Sequence, residues 1–334
     1  MRSVNGFMVI GVLVASASVF GGCMSSEESP GTQRTSLSRE VAVAELDALP
    51  PAGFSAATAV VEAPWGDAEG AFQRETVAAQ TGPMAIAAER DEGFSIVDTV
   101  GARVYRYTAE GELRGVIATS VETADDLTVL PGGGVALLAY RRTPTPGYDL
   151  MTFDDRGSLL ERRAAPQGAS LPTAVVADGD QVYVEQRHEQ LLPDSGGEAL
   201  WGRPDGDLLV RARLDDGDAV LWTADREGQT AWSLRVDAPW PVTELLAVES
   251  AEPYLAIVLR HIETGADGDP VGQETWLVTV SHAGEALGSL RLVDSRVTDA
   301  GRPFALTPGG AVLELVTSEE GVSVLRYDVE GDAS

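Results

Sequence analysis

The chain has 334 residues and a formal net charge of -28, and all 24 of its basic residues are arginine. Such acidity opposes binding to the phosphates of nucleic acids and to anionic lipid headgroups. No break in composition divides the long part of the chain that follows the amino-terminal segment, so we expect a single large domain there.

The amino-terminal segment, residues 1–22, has the pattern of a secretory signal peptide. A basic start at Arg2 is followed by an apolar run from Gly6 to Phe20 and then by two glycines, the order of parts that marks an export signal. The apolar run is shorter than the roughly 20 residues that a membrane-spanning helix needs. The segment is therefore predicted to direct export and to be removed.

The only cysteine, Cys23, follows this segment directly. The local sequence VFGGC resembles the lipobox of bacterial lipoproteins, although Phe20 stands where that family usually has leucine. The resemblance implies that Cys23 becomes the first residue of the mature protein and carries acyl chains such as palmitate. Acyl chains anchor a protein to a membrane, so the resemblance also implies an extracytoplasmic location at the bacterial cell envelope. An ordinary signal peptide that ends beside a cysteine is the alternative.

Residues 23–50 are predicted to form a flexible tether. The stretch after Cys23 is rich in Ser, Glu, Gly and Pro and poor in core-forming residues. A segment of this composition cannot bury enough apolar surface to offset its chain entropy. The folded domain is therefore assigned to residues 51–334.

A short phrase recurs in this domain: an apolar residue lies four places before a glycine, with polar residues between them. The glycines that end the phrase are Gly70 (in a copy one residue longer), Gly111, Gly157, Gly228, Gly284 and Gly331. Apolar residues alternate before most copies, as Tyr105 and Tyr107 do, and alternation with period two is typical of a half-buried strand. Since glycine adopts positive φ at low cost, each phrase is predicted to be a tight turn between two strands.

The phrase glycines are separated by 41 to 71 residues. Blades of β-propellers repeat about every 40 to 50 residues, so the spacing predicts an all-β, six-bladed propeller. Five and seven blades are the alternatives, because the longest interval, Gly157 to Gly228, has room for a loop insertion or for part of an extra blade.

One repeat resembles a known family. Residues 83–111 are similar to the NHL repeat of six-bladed propellers, and the resemblance assigns structural roles in the repeat to Asp98 and Arg103. The residues at that repeat's spacings are Pro83, Ile86, Ala87, Gly93, Asp98, Arg103, Val104, Tyr107 and Gly111. Residues 224–232 also resemble a single quinoprotein-type repeat, which we interpret as shared blade chemistry and not as a quinone site.

The last phrase ends at Gly331, so the final blade lacks the strand that should follow its turn. An unpaired edge is a liability in a sheet. We therefore expect the ring to close by pairing of a first strand, Ala71–Ala79, with the last blade, which would place Gly70 at the seam.

Residue types that carry catalytic chemistry are sparse. The three histidines lie in different repeats, lack the spacing of a metal site, and are interpreted as surface residues: His188, His261 and His282. Five tryptophans lie in the second half of the domain and are assigned to blade packing, with an exposed sugar or peptide platform as the alternative: Trp201, Trp222, Trp232, Trp240 and Trp276.

Two acidic pairs could offer oxygens to calcium: Asp205 with Asp207, and Asp267 with Asp269. Neither stretch supplies the ligand set of a calcium-binding loop, and Asp-Gly sequences are primarily turn formers. No cofactor is therefore predicted, and calcium is the alternative.

These patterns favour a non-catalytic binding or scaffold propeller that is anchored to the envelope membrane through Cys23, has a protein or glycan partner and does not bind nucleic acid. The loops around residues 188–207 and 261–275 are the expected contact surface, because binding residues concentrate on irregular loops. The alternative is a metal-dependent hydrolase or lyase, which predicts Asp, Glu or His side chains that converge on the axis of the ring.

Overall fold

The computed structural model describes residues 41–75, 81–142, 145–166, 172–251, 254–265, 267–293 and 296–330. These residues form strands almost throughout; their one helical element is a 3-10 turn at Leu46–Ala48. The strands, in chain order, are β1 (Ala42–Glu45), β2 (Thr58–Pro64), β3 (Pro83–Ala88), β4 (Phe94–Asp98), β5 (Arg103–Tyr107), β6 (Leu113–Ala118), β7 (Ala124–Val129), β8 (Val135–Arg141), β9 (Gly147–Phe153), β10 (Leu159–Ala164), β11 (Pro172–Asp178), β12 (Gln181–Gln186), β13 (Gln190–Pro193), β14 (Arg203–Asp205), β15 (Leu208–Asp215), β16 (Asp218–Ala224), β17 (Thr230–Asp237), β18 (Val242–Ala251), β19 (Tyr254–Thr264), β20 (Pro270–Val280), β21 (Ala286–Arg291), β22 (Phe304–Leu306), β23 (Val312–Thr317) and β24 (Gly321–Tyr327). Across the described ranges, no helix is long and apolar enough to cross a membrane.

The strands form six antiparallel blades, and the prediction of an all-β, six-bladed propeller is confirmed. Blade 1 contains β3 to β6, blade 2 β7 to β10, blade 3 β11 to β13, blade 4 β14 to β17, blade 5 β18 to β21 and blade 6 β22 to β24. Two strands from the amino-terminal part complete the ring: β1 lies outermost on blade 4 and β2 outermost on blade 6. The innermost strands line a central channel.

The hydrophobic core lies between neighbouring blades. Alternate residues of each strand face the two adjacent blades, and five buried clusters fill the gaps between blades 1 and 2, 2 and 3, 4 and 5, 5 and 6, and 6 and 1. Phe72, Phe94 and Tyr105 are among the largest side chains buried there. The channel edge of the inner strands takes no part in this packing and carries the polar groups described below.

The recurring phrase forms one turn structure in four blades. Its glycine has a φ between +85° and +90° at Gly111, Gly157, Gly228 and Gly284. The residue three places before the glycine accepts, through its side-chain oxygen, a hydrogen bond from the amide that follows the glycine; the acceptors are Thr108, Asp154, Asp225 and Ser281. These local bonds explain why polar residues fill the phrase. Gly331 lies outside the described residues.

Blade 3 accounts for the longest interval between phrase glycines. It has three strands, and in place of a fourth the chain makes a single bridge between Leu191 and Leu200. Pro193 ends its outer strand and cannot donate a ladder hydrogen bond. The interval from Gly157 to Gly228 therefore spans all of blade 3, which lacks the phrase, and most of blade 4.

The ring closes through β2 and not through Ala71–Ala79, so that assignment of the closing strand is wrong. Thr58–Pro64 pairs antiparallel with Gly321–Tyr327, and Gly70 lies in the turn after the closing strand. Ala71 instead contacts blade 1, where the Arg103 Nη2 and the Tyr105 hydroxyl both donate to its carbonyl oxygen, at 2.9 and 2.5 Å. The ring is nevertheless closed by a strand from the amino-terminal part of the domain, as the sequence predicts.

The ordered domain begins before residue 51, which corrects the predicted end of the tether. β1 pairs in parallel with β17, and Leu46 is 1% exposed in the core between blades 4 and 5. The chain then crosses blade 5, where Ala52 donates to the carbonyl of Ser289 at 2.7 Å. We call residues 42–55 the N-terminal belt; its alternating apolar residues give it a face that packs on the propeller. Cys23 lies outside the described residues.

Candidate binding site in the central channel

The inner strands of all six blades surround a cavity of about 240 Å³ in the channel. It lies toward the ends of these strands, since Ala88 is the last residue of β3, Asp178 of β11 and Leu306 of β22. Asp178 is exposed, so the cavity opens to solvent on that side. Small aliphatic side chains form part of the wall, and four charged residues also line it: Asp178, Arg203, Glu249 and Arg302.

Arg203 joins three blades through its guanidinium group. Its Nε and Nη2 donate to the two oxygens of Glu185 at 2.6 and 3.0 Å, and its Nη1 lies 2.9 Å from Glu249 Oε2. The planar guanidinium suits such forked pairing. Arg203 thereby links blade 4 to blades 3 and 5.

Arg302 makes a second bridge, from the start of blade 6 to blade 2. Its Nε donates to Asp126 Oδ1 at 2.9 Å, and its Nη2 donates to the carbonyl of Leu127. Its own carbonyl accepts from the amide of Ile86 at 3.0 Å, which holds the residue against the inner strand of blade 1. The second carboxylate oxygen of Asp126, Oδ2, accepts a hydrogen bond from the amide of Val175 at 2.6 Å.

His188 extends the chain of charges from the other side of Glu185. Its Nδ1 lies 3.0 Å from Glu185 Oε2 and its Nε2 lies 3.0 Å from the carbonyl oxygen of Leu245. Both partners only accept hydrogen bonds, so the pair of contacts fits the doubly protonated ring. Burial acts to raise the pKa of Glu185, but the charges of Arg203 and His188 outweigh it and hold that pKa well below its usual range.

Together these residues form a channel network of three carboxylates, two guanidinium groups and one imidazole: Asp126, Glu185, His188, Arg203, Glu249 and Arg302. Its charges balance when the imidazole is protonated. One member of each of blades 2, 4, 5 and 6 and two members of blade 3 take part, so the network spans most of the ring.

One donor and one acceptor of the network face each other without a hydrogen bond. Glu249 Oε1 is buried and has no hydrogen-bond partner, and Arg302 Nη1 lies 3.6 Å from it. The separation exceeds ordinary hydrogen-bond distance. Both residues line the cavity, but Glu249 Oε1 itself is buried.

The prediction that the histidines lie on the surface is wrong for His188 and His261, which are 6% and 1% exposed. His261 Nε2 lies 3.2 Å from Glu274 within blade 5, and His282 Nδ1 lies 2.9 Å from Asp205 Oδ2. The three rings contact different partners and do not share a site. The expected contact loop at residues 188–207 is likewise reduced, because His188 and Arg203 at its ends belong to the channel network.

The acidic pairs weighed for calcium have other roles in the structure. Asp205 accepts from His282 and from the Ser250 hydroxyl, at 2.9 and 2.7 Å, and Asp267 Oδ1 caps the amide of Asp269 in a turn at 3.4 Å. The described residues contain no group of three or more His, Cys, Asp or Glu side chains arranged to hold a metal ion.

Asp98 and Arg103 lie together in blade 1, away from the cavity wall. Arg103 Nε donates to Asp98 Oδ2 at 3.1 Å, and Asp98 Oδ1 accepts from the amide of Gly101 at 3.0 Å. Burial raises the pKa of Asp98 despite these bonds. The pair fixes the turn between β4 and β5 and, through Arg103, the segment that follows β2.

The five tryptophans do not form a buried set. Trp222 is 5% exposed, under the guanidinium groups of Arg211 and Arg213. Trp201 and Trp240 are 47% and 38% exposed. Trp232 and Trp276 are partly buried and pack on the core between blades 4 and 5. The assignment to blade packing therefore fits Trp222, Trp232 and Trp276 and does not fit Trp201 or Trp240.

Asp125, next to the network residue Asp126, has an unusual acidity. Burial, and then the charge of Asp126, raise its pKa to about 6, and a hydrogen bond with Tyr148 acts in the opposite direction. A carboxyl that titrates in this range is a feature of functional sites and of strained structural ones. Asp125 does not line the cavity.

Replacing Asp125 by asparagine should change how stability depends on pH. The native carboxyl keeps its proton between about pH 4 and pH 6, where the unfolded chain has lost it, so the wild-type protein should lose stability as the pH rises through that window. Asp125→Asn should remove this loss and be more stable than wild type at pH 8, by roughly 1 to 2 kcal/mol after allowance for solvent screening, and equal to it near pH 4. Thermal unfolding of both proteins from pH 4 to pH 8 measures the difference; two parallel curves would contradict it.

Comparison with known proteins identifies the fold and nothing finer. No protein-family model and no curated protein matches the sequence. A member of the DUF4221 family from Bacteroides vulgatus is similar in structure, with 8% identity, coverage of 84% of this chain and 99% of that chain, and a TM-score of 0.52. Hydrazine synthase from Kuenenia stuttgartiensis shares 15% identity over 75% of this chain and 80% of that chain, with a TM-score of 0.47. Virginiamycin B lyase from Staphylococcus aureus shares 10% identity over 77% and 98%, with a TM-score of 0.43. A propeller hosts many unrelated activities.

Proposed function

We propose that the protein is a non-catalytic binding or scaffold propeller, held at the outside of a bacterial membrane by acyl chains on Cys23. The observation that carries the binding role is the pairing of the channel carboxylates. Asp126, Glu185 and Glu249 each have an arginine partner, so all three carboxylates are already engaged within the ring. General acid–base work and metal binding both need a carboxylate that is free to exchange its partner.

The same pairing gives the ring rigidity. Each bridge joins different blades near the channel, in addition to the buried cores and the other hydrogen bonds between neighbouring blades. A rigid ring with loops at both ends is the arrangement in which propellers present binding surfaces. The N-terminal belt joins this ring to the segment that carries Cys23, so an anchored chain would hold the propeller close to the membrane.

Intact mass and metal analysis of the full chain, purified from detergent-solubilised bacterial envelopes, test the proposal. We expect loss of residues 1–22, added mass from acyl chains on Cys23, and no divalent ion in stoichiometric amount. The matched variant Cys23→Ser should lack the acyl mass and leave the membrane fraction.

Two outcomes would overturn parts of the proposal. A wild-type protein with an unmodified Cys23 would remove the lipid anchor. A divalent ion bound one to one would favour the metal-dependent hydrolase or lyase in place of the binding propeller.

A further inference from the structure

Arg211 is a buried arginine that lacks a partner. Three arginines of the described residues are 6% exposed, and two of them, Arg203 and Arg302, donate to several acceptors in the channel network. The guanidinium of Arg211 has no hydrogen bond or ion pair with any described residue, and its Nε is enclosed without an acceptor. Burial lowers the pKa of Arg211, and the charge of Glu189 acts to raise it. An unpaired buried charge is costly, so this side chain requires an explanation.

Arg211 and Arg213 point from β15 toward blade 3. They alternate along the strand with Val210 and Ala212, which belong to the core between blades 4 and 5, and alternate side chains of a strand lie on opposite faces. Their guanidinium carbons lie 5.6 and 5.3 Å from the ring centroid of Trp222. Such stacking occupies the face of a guanidinium, whereas the N–H donors lie in the plane of the group. Trp222 therefore does not satisfy those donors.

The terminal nitrogens of the two arginines can be reached from solvent. Arg211 Nε and Arg213 Nε are enclosed, so a ligand cannot contact these two atoms. The Nη1 and Nη2 atoms of Arg211 have no hydrogen bond either, but they are not among the enclosed atoms, which leaves them some accessible surface. The side chain of Arg213 is 41% exposed. Each guanidinium thus offers its outer edge, which carries most of its N–H donors.

The neighbouring carboxylates leave these donors available. Glu189 acts on Arg211 through its charge but lies beyond ion-pair distance. Asp215 Oδ2 is 3.9 Å from Arg213 Nη2, and both side chains are nearly half exposed, so their pairing is weak. The overall charge of -28 opposes an anion at long range, but salt screens exposed charges that are more than about 8 to 10 Å apart. An anion would be held here by direct hydrogen bonds to the guanidinium groups and not by an excess of positive charge.

We propose that Arg211 and Arg213 form an oxyanion site in the gap between blades 3 and 4, which binds one carboxylate or phosphate group through the terminal nitrogens. A planar guanidinium presents parallel N–H donors that match two oxygens of such a group, and arginine is well suited to both kinds of anion. Neither arginine lines the channel cavity, and nor does Trp222, so the site is separate from it. The inference goes beyond the proposed function, because it assigns a ligand site elsewhere in the ring and the chemistry of its ligand.

Calorimetric titration of the full chain, solubilised in a neutral detergent and kept at constant ionic strength in chloride, tests this site. The probes are inorganic phosphate, sulfate, acetate and succinate, with ethylammonium and acetamide as controls of other charge. We expect saturable binding of at least one oxyanion and none of the controls. Stronger binding of phosphate and sulfate would identify a tetrahedral ligand group; stronger binding of acetate and succinate would identify a carboxylate, and both results support the proposal.

Arg211→Met and Arg213→Met should each weaken the binding by about tenfold or more, because each removes hydrogen bonds from a charged donor. Arg213→Met changes a partly exposed side chain, so it keeps the test valid even if Arg211→Met proves unstable. Arg326→Met is the matched control: it removes the same charge in blade 6, where Arg326 Nε donates to Asp328 at 2.6 Å, so binding should not change.

Glu189→Gln should strengthen the binding several-fold. The substitution removes the negative charge that acts on Arg211 and keeps the size of the side chain. The same titrations measure this change, and a gain at Glu189 together with losses at Arg211 and Arg213 would place the anion beside these three residues.

Three results would overturn the inference: no saturable binding of any oxyanion, equal binding of the controls, or binding that survives both Arg211→Met and Arg213→Met. The first would mean that water and Glu189 suffice for the guanidinium of Arg211. None of them affects the acylation of Cys23 or the metal content, so failure of this inference is distinguishable from failure of the proposed function.

Discussion

Replacing Arg203 by methionine should lower the free energy of unfolding by about 3 to 5 kcal/mol, the usual cost of removing one partner of a buried ion pair. Methionine keeps much of the side-chain volume, so the loss is electrostatic. Glu185 and Glu249 would lose their guanidinium partner, and Glu185, at 1% exposure, has no solvent to replace it. Equilibrium unfolding in urea, followed by tryptophan fluorescence, measures the change.

Arg235→Met is the control for this variant. Arg235 is 40% exposed along its side chain and lies 3.5 Å from Asp218, and exposed pairs of this kind contribute about 0 to 1 kcal/mol. A small effect at Arg235 with a large one at Arg203 would assign the stability to the channel network. Equal effects at the two sites would mean that the network adds nothing beyond an ordinary surface pair.

The blade pattern was predictable because local chemistry defines it. In the turns at Gly111, Gly157, Gly228 and Gly284, both the glycine and the polar acceptor before it are needed within a few residues. The predicted number of blades is confirmed. Two details of the prediction differ from the structure: the phrase at Gly70 lies in a loop, and blade 3 lacks the phrase. A short-range motif thus predicts repeated hairpins but does not say which blade each one closes.

The channel network was not predicted, because its partners are far apart in sequence. Arg302 and Asp126 are separated by 176 positions, and no local pattern joins them. A weak signal does exist: Asp126, Glu185 and Glu249 each interrupt an apolar strand, and a charge in such a position needs a buried partner. Sequence alone offers many arginines as candidates and no way to choose Arg203 and Arg302.

The extent of the N-terminal belt shows a similar limit. Residues 44–48 alternate apolar and polar side chains, which is a strand signal, but the segment follows a stretch that is poor in core-forming residues and is assigned to the tether with it. Tertiary contacts order the belt. Leu46 packs into the gap between blades 4 and 5. Ala52 approaches Gly288 closely, since a Cβ added at Gly288 would lie 2.7 Å from Ala52 Cα.

Ring closure depends on a close approach between β2 and β24 that only glycine permits at position 321. Gly321→Ala should therefore cause the second large loss of stability. A Cβ at this position would lie 2.1 Å from the carbonyl oxygen of Ala63, and this contact is with backbone, so no side-chain rotation can relieve it. Either β2 or β24 must move. The cost should be near the upper end of the roughly 1 to 3 kcal/mol that overpacking costs, with amides of β2 losing hydrogen-exchange protection first.

Gly115→Ala is the matched control, since Gly115 also lies in a strand and an added Cβ there would have no atom within 4 Å. Because alanine loses less chain entropy on folding than glycine does, this variant should be as stable as wild type or slightly more stable. If Gly321→Ala kept both its stability and the protection of β2, the seam would tolerate a shift of the strand. If it lost protection in β2 and then across blade 6, the closing strand would be the element that holds the ring together.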